Sequence, residues 1–284
     1  GGVSIIFTTL IITNIMLPQW SAINTIIVVL LFSISILDDF FNINILGRLC
    51  IHLICAFLYI NIYLKSYFLE YFDVRFVEFK ILLFLLGIFS IAWFINAFNF
   101  MDGIDGITSV YSISILISLI FLYKIMGQDS NSFHFLLLGS MIGFLYFNWH
   151  PAKIFLGDAG SIPLGFLMAH LLIEFAFKGF WVAALILPLY YLMDTSITIL
   201  YRLSTKKILW KSHNDHFYQL GIRNGRNHKS VCYLIIISSF GLFLLSYFAV
   251  IFKNNILFLL IGMIWCLFFL INFKKRKINK KYYE

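Results

Sequence analysis

Ten stretches of this sequence are apolar for about the length a helix needs to cross a bilayer, and nothing else constrains its fold as strongly. They cover residues 3–17, 22–37, 49–64, 81–98, 109–126, 133–148, 162–177, 181–201, 231–252 and 255–273. A transmembrane helix takes roughly 20 apolar residues, with a range of roughly 17–25, so several of these runs are short. The apolar residues are continuous within each run, whereas barrel strands would alternate. Charged residues are only 12% of the chain, against roughly 25% in soluble domains, and mean hydropathy is +0.92. The expected architecture is all-α: a polytopic membrane bundle of about ten helices, forming one membrane-embedded domain over residues 1–284.

Basic residues orient the bundle. With the connection after Leu37 placed in the cytoplasm, fifteen of the 21 basic residues fall inside. The positive-inside rule favours that orientation. The segment 204–230 and the tail 274–284 then form a basic cytoplasmic loop and a basic cytoplasmic anchor beside anionic lipid. The amphipathic segment 65–80 falls on the outer surface. Cys50, Cys55, Cys232 and Cys266 lie in or beside apolar runs without CxxC spacing, so free thiols are expected.

The same orientation brings Asp38, Asp39, Asp102, Asp105, Asp158, Asp194 and Asp215 to the cytoplasmic side. Acidic residues have little influence on topology, and carboxylates at a membrane edge are candidates for function. In "LDDF", Asp38 and Asp39 end a helix, where an anion is disfavoured unless a cation compensates. In "NAFNFMDGIDG", Asn96 and Asn99 share a face if the helix continues through Asn99. The glycines there allow a tight turn around a ligand, and Asp and Asn oxygens suit hard cations. In "PAKIFLGDAGS", Ser161 is the expected N-cap and Pro163 the expected first-turn proline. A glycine-rich entry to a helix suits an anion. Asp158 is out of place there unless a metal bridges it to phosphate, and Lys153 adds positive charge. Asp194 lies inside an apolar run with Arg202 eight residues on. His213 and His216 then flank Asp215 in "HNDHFYQ"; with no third ligand in view, they suit anion handling better than zinc. His52, His134, His150, His170 and His228 are expected to be structural or incidental.

Together these groups suit the joining of a nucleotide sugar to a lipid phosphate. Two phosphate anions must be neutralised, aligned and held at the membrane surface. The ordered motifs "LDDF", "NAFNFMDGIDG", "PAKIFLGDAGS" and "HNDHFYQ" resemble those of the polyprenyl-phosphate N-acetylhexosamine-1-phosphate transferase superfamily, and the resemblance covers essentially the whole chain. It implies transfer of an amino-sugar 1-phosphate from a UDP-sugar to undecaprenyl phosphate with release of UMP. The cofactor implied is Mg²⁺, with Mn²⁺ as a substitute, and the location is the bacterial plasma membrane with a cytoplasmic site. A homodimer is compatible with it, and no nucleic-acid partner is expected. By motif position, Asp158 resembles the metal ligand, with Asn99 close by. Asp38 resembles the base for the lipid phosphate, with Asp39 beside it, and Asp102 and Asp105 resemble residues near the nucleotide and metal. Asn96, Lys153, Asp194, Arg202, His213 and His216 are the expected substrate-binding set.

The sequence departs from the family in two places. The helix and basic loop that precede the Gly-Gly pair are absent, so Gly1–Gly2 resembles the tail of that loop and an upstream segment is expected. "HNDH" replaces the triple histidine of the peptidoglycan enzyme, phospho-N-acetylmuramoyl-pentapeptide transferase. It is closer to members that initiate O-antigen or related surface polysaccharides, which leaves the peptidoglycan reaction as the alternative. A cation-coupled transporter would place its carboxylates near the bilayer midplane in repeated halves, and neither pattern is visible.

Overall fold

The computed structural model describes residues 1–17, 20–41, 43–63, 77–208 and 213–275, with 77–79 as backbone only. The surface segment expected over 65–80 lies almost wholly outside these residues, as does the tail beyond Lys275.

Each expected apolar run coincides with helix over most of its described residues. In chain order the helices are α1 (Gly2–Met16), α2 (Ala22–Phe41), α3 (Ile45–Leu58), α4 (Val77–Phe100), α5 (Ile107–Ile125), α6 (Ser132–Asn148), α7 (Asp158–Phe175), α8 (Trp181–Ile186), α9 (Leu189–Ser204), α10 (Phe217–Arg223), α11 (His228–Ile251) and α12 (Leu257–Lys274). Wider π-type turns, Tyr59–Tyr63 and Ala176–Phe180, follow α3 and α7. Among the described residues, seven spans are long and apolar enough to cross a bilayer, while α1 and α6 are apolar but shorter. The chain is thus an all-helical, multi-pass membrane protein.

The runs and the helices differ only in local ways. Asp158–Ile186 has the length and hydropathy of a single span, but Gly179 turns the chain at φ +96° between α7 and α8, so two helices meet there at a kink. The run expected over 181–201 breaks at Leu187–Pro188, because proline cannot donate to the turn before it, and its second half is the separate helix α9. Helix α7 also starts earlier than expected. Asp158 is its first residue, after Gly157 turns the chain at φ +67°. Ser161 is therefore not an N-cap but a buried residue inside the helix, and Pro163 lies beyond the first turn.

The chain forms two compact units. The first comprises Gly1–Asn99 and Leu156–Leu171, the second Phe100–Phe155 and Leu172–Glu284. In the first, Ile27, Val28, Leu31, Tyr59, Ile95, Phe98, Leu164 and Leu167 are buried. A Cβ on Gly165 would meet Phe98 Cβ at 2.9 Å and the Ile95 backbone at 3.2 Å. Helices α4 and α7 therefore touch nearly backbone to backbone. In the second unit, α5 packs between α6 and α11, and α11 also packs on α8 and α12. Tyr111 and Tyr191 stack there with centroids 3.8 Å apart. Helix α10 is tied to the end of α12 by Asn224, which donates to the Phe273 and Lys274 carbonyls at 3.1 and 2.9 Å.

Candidate functional site

In the first unit, the close approach of α4 and α7 sets the polar geometry. Helix α4 does continue through Asn99, and its amide donates 2.9 Å to Asp158 Oδ1 and 2.9 Å to Ser161 Oγ. Asp158 occupies the N-terminal end of α7, where the helix dipole favours an anion. Asp38 stands in the last turn of α2, the disfavoured end, and its compensating cation is Arg48. Asn44 caps α3 by accepting from Gly47 N at 2.6 Å, which turns the chain back so that Arg48 in the first turn reaches Asp38. One guanidinium nitrogen, Arg48 Nη1, donates to Asp38 Oδ2 at 2.6 Å and to Asp158 Oδ2 at 3.0 Å. A single cationic atom thus binds two carboxylates 120 positions apart in sequence. Asp38 and Asp158 keep 16% and 36% of their side-chain surface, so a ligand can still reach them. Asp39 is exposed. Asn96 turns elsewhere, to His52 Nδ1 at 3.0 Å and the Ala92 carbonyl, so His52 is a buried structural partner as expected.

In the second unit, the turn 101–106 carries Asp102 and Asp105. Gly106 holds a left-handed φ of +81°, a conformation that suits glycine. Gly103 presses on the Tyr218 hydroxyl, leaving no room for a Cβ. Asp105 Oδ2 accepts from His150 Nδ1 at 2.6 Å and from Ala152 N at 3.2 Å. His228 Nδ1 lies 3.2 Å from the same oxygen. Burial alone would raise the Asp105 carboxyl, but the His150 and Ala152 bonds and the charge of His228 together hold it below its ordinary value. Of the two roles expected for His150 and His228, structural or incidental, these contacts leave the structural one. No motif announced them, because their significance depends on two distant segments meeting one aspartate. Lys153 is exposed on the segment that follows.

Asp194 needs a correction. It is fully buried and its oxygens are already taken. They accept from Phe217 N at 3.0 Å, Tyr218 N at 3.2 Å, Tyr190 Oη at 3.2 Å and Thr198 Oγ1 at 3.4 Å. His216 Nδ1 is 3.2 Å away. The carboxylate thus serves the first amides of α10, which have no partner within the helix, and it is closed to a substrate. Arg202, also expected to bind substrate, is 6% exposed; it donates to Asp215 and to the Ile208 carbonyl. Both residues are anchors of the histidine segment.

That segment presents its rings in order. His213 stacks on His216 with centroids 5.1 Å apart, and His216 stacks near Phe100 at 6.0 Å. Burial, with the charges of His216 and Arg202, pushes the His213 pKa down to about 4, so at neutral pH it is an uncharged imidazole able to donate one hydrogen bond. Asp215 is held below the usual carboxylate range, because bonds from Arg202 and Lys207 outweigh its burial. Burial and the neighbouring Asp194 and Asp102 charges raise the Tyr218 phenol far above its ordinary value, and its hydroxyl donates to the Phe100 carbonyl at 3.0 Å.

Comparison of the sequence with known proteins finds named relatives. The model for glycosyl transferase family 4 matches residues 21–176, more than half of the chain. A protein of Bacillus subtilis (strain 168), described as a probable undecaprenyl-phosphate N-acetylglucosaminyl 1-phosphate transferase, is 27% identical over 245 residues, 82% of this chain and 66% of that protein. The phospho-N-acetylmuramoyl-pentapeptide-transferase of Streptococcus uberis is 38% identical over 118 residues, 40% of this chain and 33% of that protein. Its counterpart in Streptococcus pyogenes serotype M49 is 33% identical over 158 residues, 50% of this chain and 45% of that protein. The chain therefore spans at most about two thirds of the length of these relatives.

Proposed function

This chain belongs to glycosyl transferase family 4, and from that premise we propose that it transfers an amino-sugar 1-phosphate, of the N-acetylhexosamine type, from a UDP-sugar to undecaprenyl phosphate. UMP is released, and the lipid-linked sugar starts a surface or cell-wall polymer at the cytoplasmic side of a bacterial plasma membrane. The observation that carries this reading is the Asp38–Arg48–Asp158–Asn99 cluster. It gathers, at the ends of membrane helices, a cation, two accessible carboxylates and an amide from four separate helices.

The donor set suits Mg²⁺. Arg48 already bridges Asp38 and Asp158, so the two carboxylates converge on one positive charge, and their hard oxygens are those Mg²⁺ prefers. Asp158 and the Asn99 carbonyl would hold it, and a bound Mg²⁺ would neutralise and polarise phosphoryl oxygens. The chain's own residues do the rest. An oxygen of the acceptor phosphate attacks the sugar-bearing phosphorus, a new P–O bond forms, and the pyrophosphate P–O bond to UMP breaks. Asp38 takes any proton left on the acceptor phosphate, and Arg48 holds Asp38 in place for it. The turn that carries Asp102 and Asp105 serves the nucleotide side. His213, neutral at pH 7, donates to a donor phosphate oxygen, on a segment that Asp194 and Arg202 hold rigid.

The streptococcal matches favour one second reading. They exceed the Bacillus match in identity over shorter stretches, and they name a donor that carries a muramoyl pentapeptide. A donor panel separates the two readings. Natural full-length protein in detergent receives undecaprenyl phosphate, Mg²⁺ and either a UDP-N-acetylhexosamine or UDP-MurNAc-pentapeptide, with products identified by mass. A lipid diphosphate sugar and UMP are expected from a UDP-N-acetylhexosamine. Product from the pentapeptide donor alone would select the second reading, and no product from any donor would overturn both.

A further inference from the structure

The residues around Asp105 make a second centre of a different chemical kind. We propose that Asp105, His150 and His228 bind a borderline d-block dication, Zn²⁺ or a close analogue, as a site separate from the Mg²⁺ donors of the first unit. The inference does not depend on the proposed transfer. It also divides the labour of the two aspartates in "DGID": Asp102 serves the nucleotide, and Asp105 is a metal ligand.

Three separate segments supply the donors, namely the turn 101–106, the connection after α6 and the first residue of α11. Their ligand atoms all lie within 4.8 Å of one another. The two imidazole rings sit side by side, centroids 4.7 Å apart, and both bring Nδ1 to the same carboxylate. Two histidines and a carboxylate with open positions is a recurrent zinc donor set. Imidazole nitrogen suits zinc, copper and nickel, whereas Mg²⁺ selects oxygen and gives up its water reluctantly.

The contacts of His228 Nδ1 suit a shared cation. His228 Nδ1 lies 3.3 Å from the Asp105 backbone N–H and 3.2 Å from Asp105 Oδ2. A neutral imidazole nitrogen carries either a proton or a lone pair. As a donor to the carboxylate it turns a proton toward the backbone N–H. As an acceptor from that N–H it turns a lone pair toward an anionic oxygen. A metal shared by His228, His150 and Asp105 would separate the His228 lone pair from the Asp105 oxygen, because both then face a positive charge. Coordination needs Nδ1 of each ring without a proton, so protons compete with the metal for these ligands.

Hydrogen bonds from the surroundings hold the donors in place, as such bonds do around metal centres. Ala152 N donates to Asp105 Oδ2, and Cys232 Sγ donates to the Asp105 carbonyl at 3.3 Å. Asn148 joins two of the donor segments: it accepts from Gly106 N at 3.0 Å and donates to the Ile154 carbonyl at 3.0 Å. The Asp105, His150 and His228 side chains retain 13%, 36% and 30% of their surface, so an ion can enter from solution. Bound there, it would cross-link the turn that carries Asp102 to the connection after α6 and the start of α11.

The test uses the full chain in detergent with excess Mg²⁺. Zn²⁺ retained after desalting is counted by plasma mass spectrometry, and Co²⁺ is substituted to read its visible spectrum. One zinc per chain is expected, with a Co²⁺ spectrum of low coordination number and no thiolate charge-transfer band. The double variant His150→Gln/His228→Gln should bind Zn²⁺ more weakly by at least about 10- to 100-fold. Asp158→Asn and His213→Gln should bind it as the parent does. Equal zinc binding by the double variant, displacement of Zn²⁺ by Mg²⁺, or loss of zinc in His213→Gln would overturn the proposal. X-ray absorption on the unaltered protein decides the matter even if the double variant does not fold: two imidazoles with oxygen ligands are required, and any sulfur ligand defeats it. None of these readouts involves transfer, so the metal site stands or falls independently of the reaction.

Discussion

Asp158 and Asp194 look alike in the sequence: each is a lone aspartate in or beside an apolar run, with a hydroxyl residue close behind it. In the folded chain they have opposite fates. Asp158 shares one Arg48 nitrogen with Asp38 and stays 36% exposed. Asp194 is 0% exposed and accepts from two backbone amides and two hydroxyls. A carboxylate with spare acceptor capacity and an open face can take a ligand. One whose lone pairs are all committed holds the backbone in place. The difference lies in how many donors the fold brings to each, and the residue type does not reveal it.

The largest effect that could break this contrast is on catalysis. Asp158→Asn should lower transfer by about 10³-fold, the scale of losing a group that stabilises the reacting charge, with the melting temperature unchanged. Near-normal transfer in purified protein would remove Asp158 from the metal set. Asp194→Ala should act on stability, costing about 3 kcal/mol from the buried donors it leaves unpaired, read from unfolding in detergent. Amide exchange across α10 should speed up in the same variant. Loss of transfer with α10 exchange unchanged would place Asp194 among the substrate groups after all. Gly103→Ala should cost about 1–3 kcal/mol by overpacking against Tyr218, and Tyr218→Phe in the same chain should recover part of it; no recovery would locate the strain elsewhere.

The smallest effect is a pH dependence. The pKa of His213 falls from its ordinary 6.5 to about 4 on folding. Between those values the unfolded chain binds the extra proton, so the stability from keeping His213 neutral is complete above about pH 6.5 and is lost as pH falls toward 4. His213→Gln should flatten that acid limb of a stability profile. An unchanged limb would mean that another group titrates there.

Much of this is legible in the sequence. Continuous apolar runs determine the helices to within a few residues, because a bilayer leaves the backbone few other ways to satisfy its polar groups. Helical spacing places Asn96 and Asn99 three positions apart, but only Asn99 bonds Asp158, while Asn96 bonds His52. A cation ten positions after Asp38 at a helix C-terminus is a readable signal for Arg48. Ser161 is a good cap by composition, but the turn into α7 is made at Gly157. His150 and His228 could not be found from local sequence, since their shared partner Asp105 lies 45 and 123 positions away along the chain.

By itself, then, the sequence determined the class of fold and the ordered motifs, because hydrophobicity and helical periodicity act over a few residues at a time. Only the tertiary structure decided which carboxylates remain open, which are consumed, and that two remote histidines meet Asp105. Those outcomes depend on the donors that packing delivers to each oxygen, and packing joins residues that the chain keeps far apart.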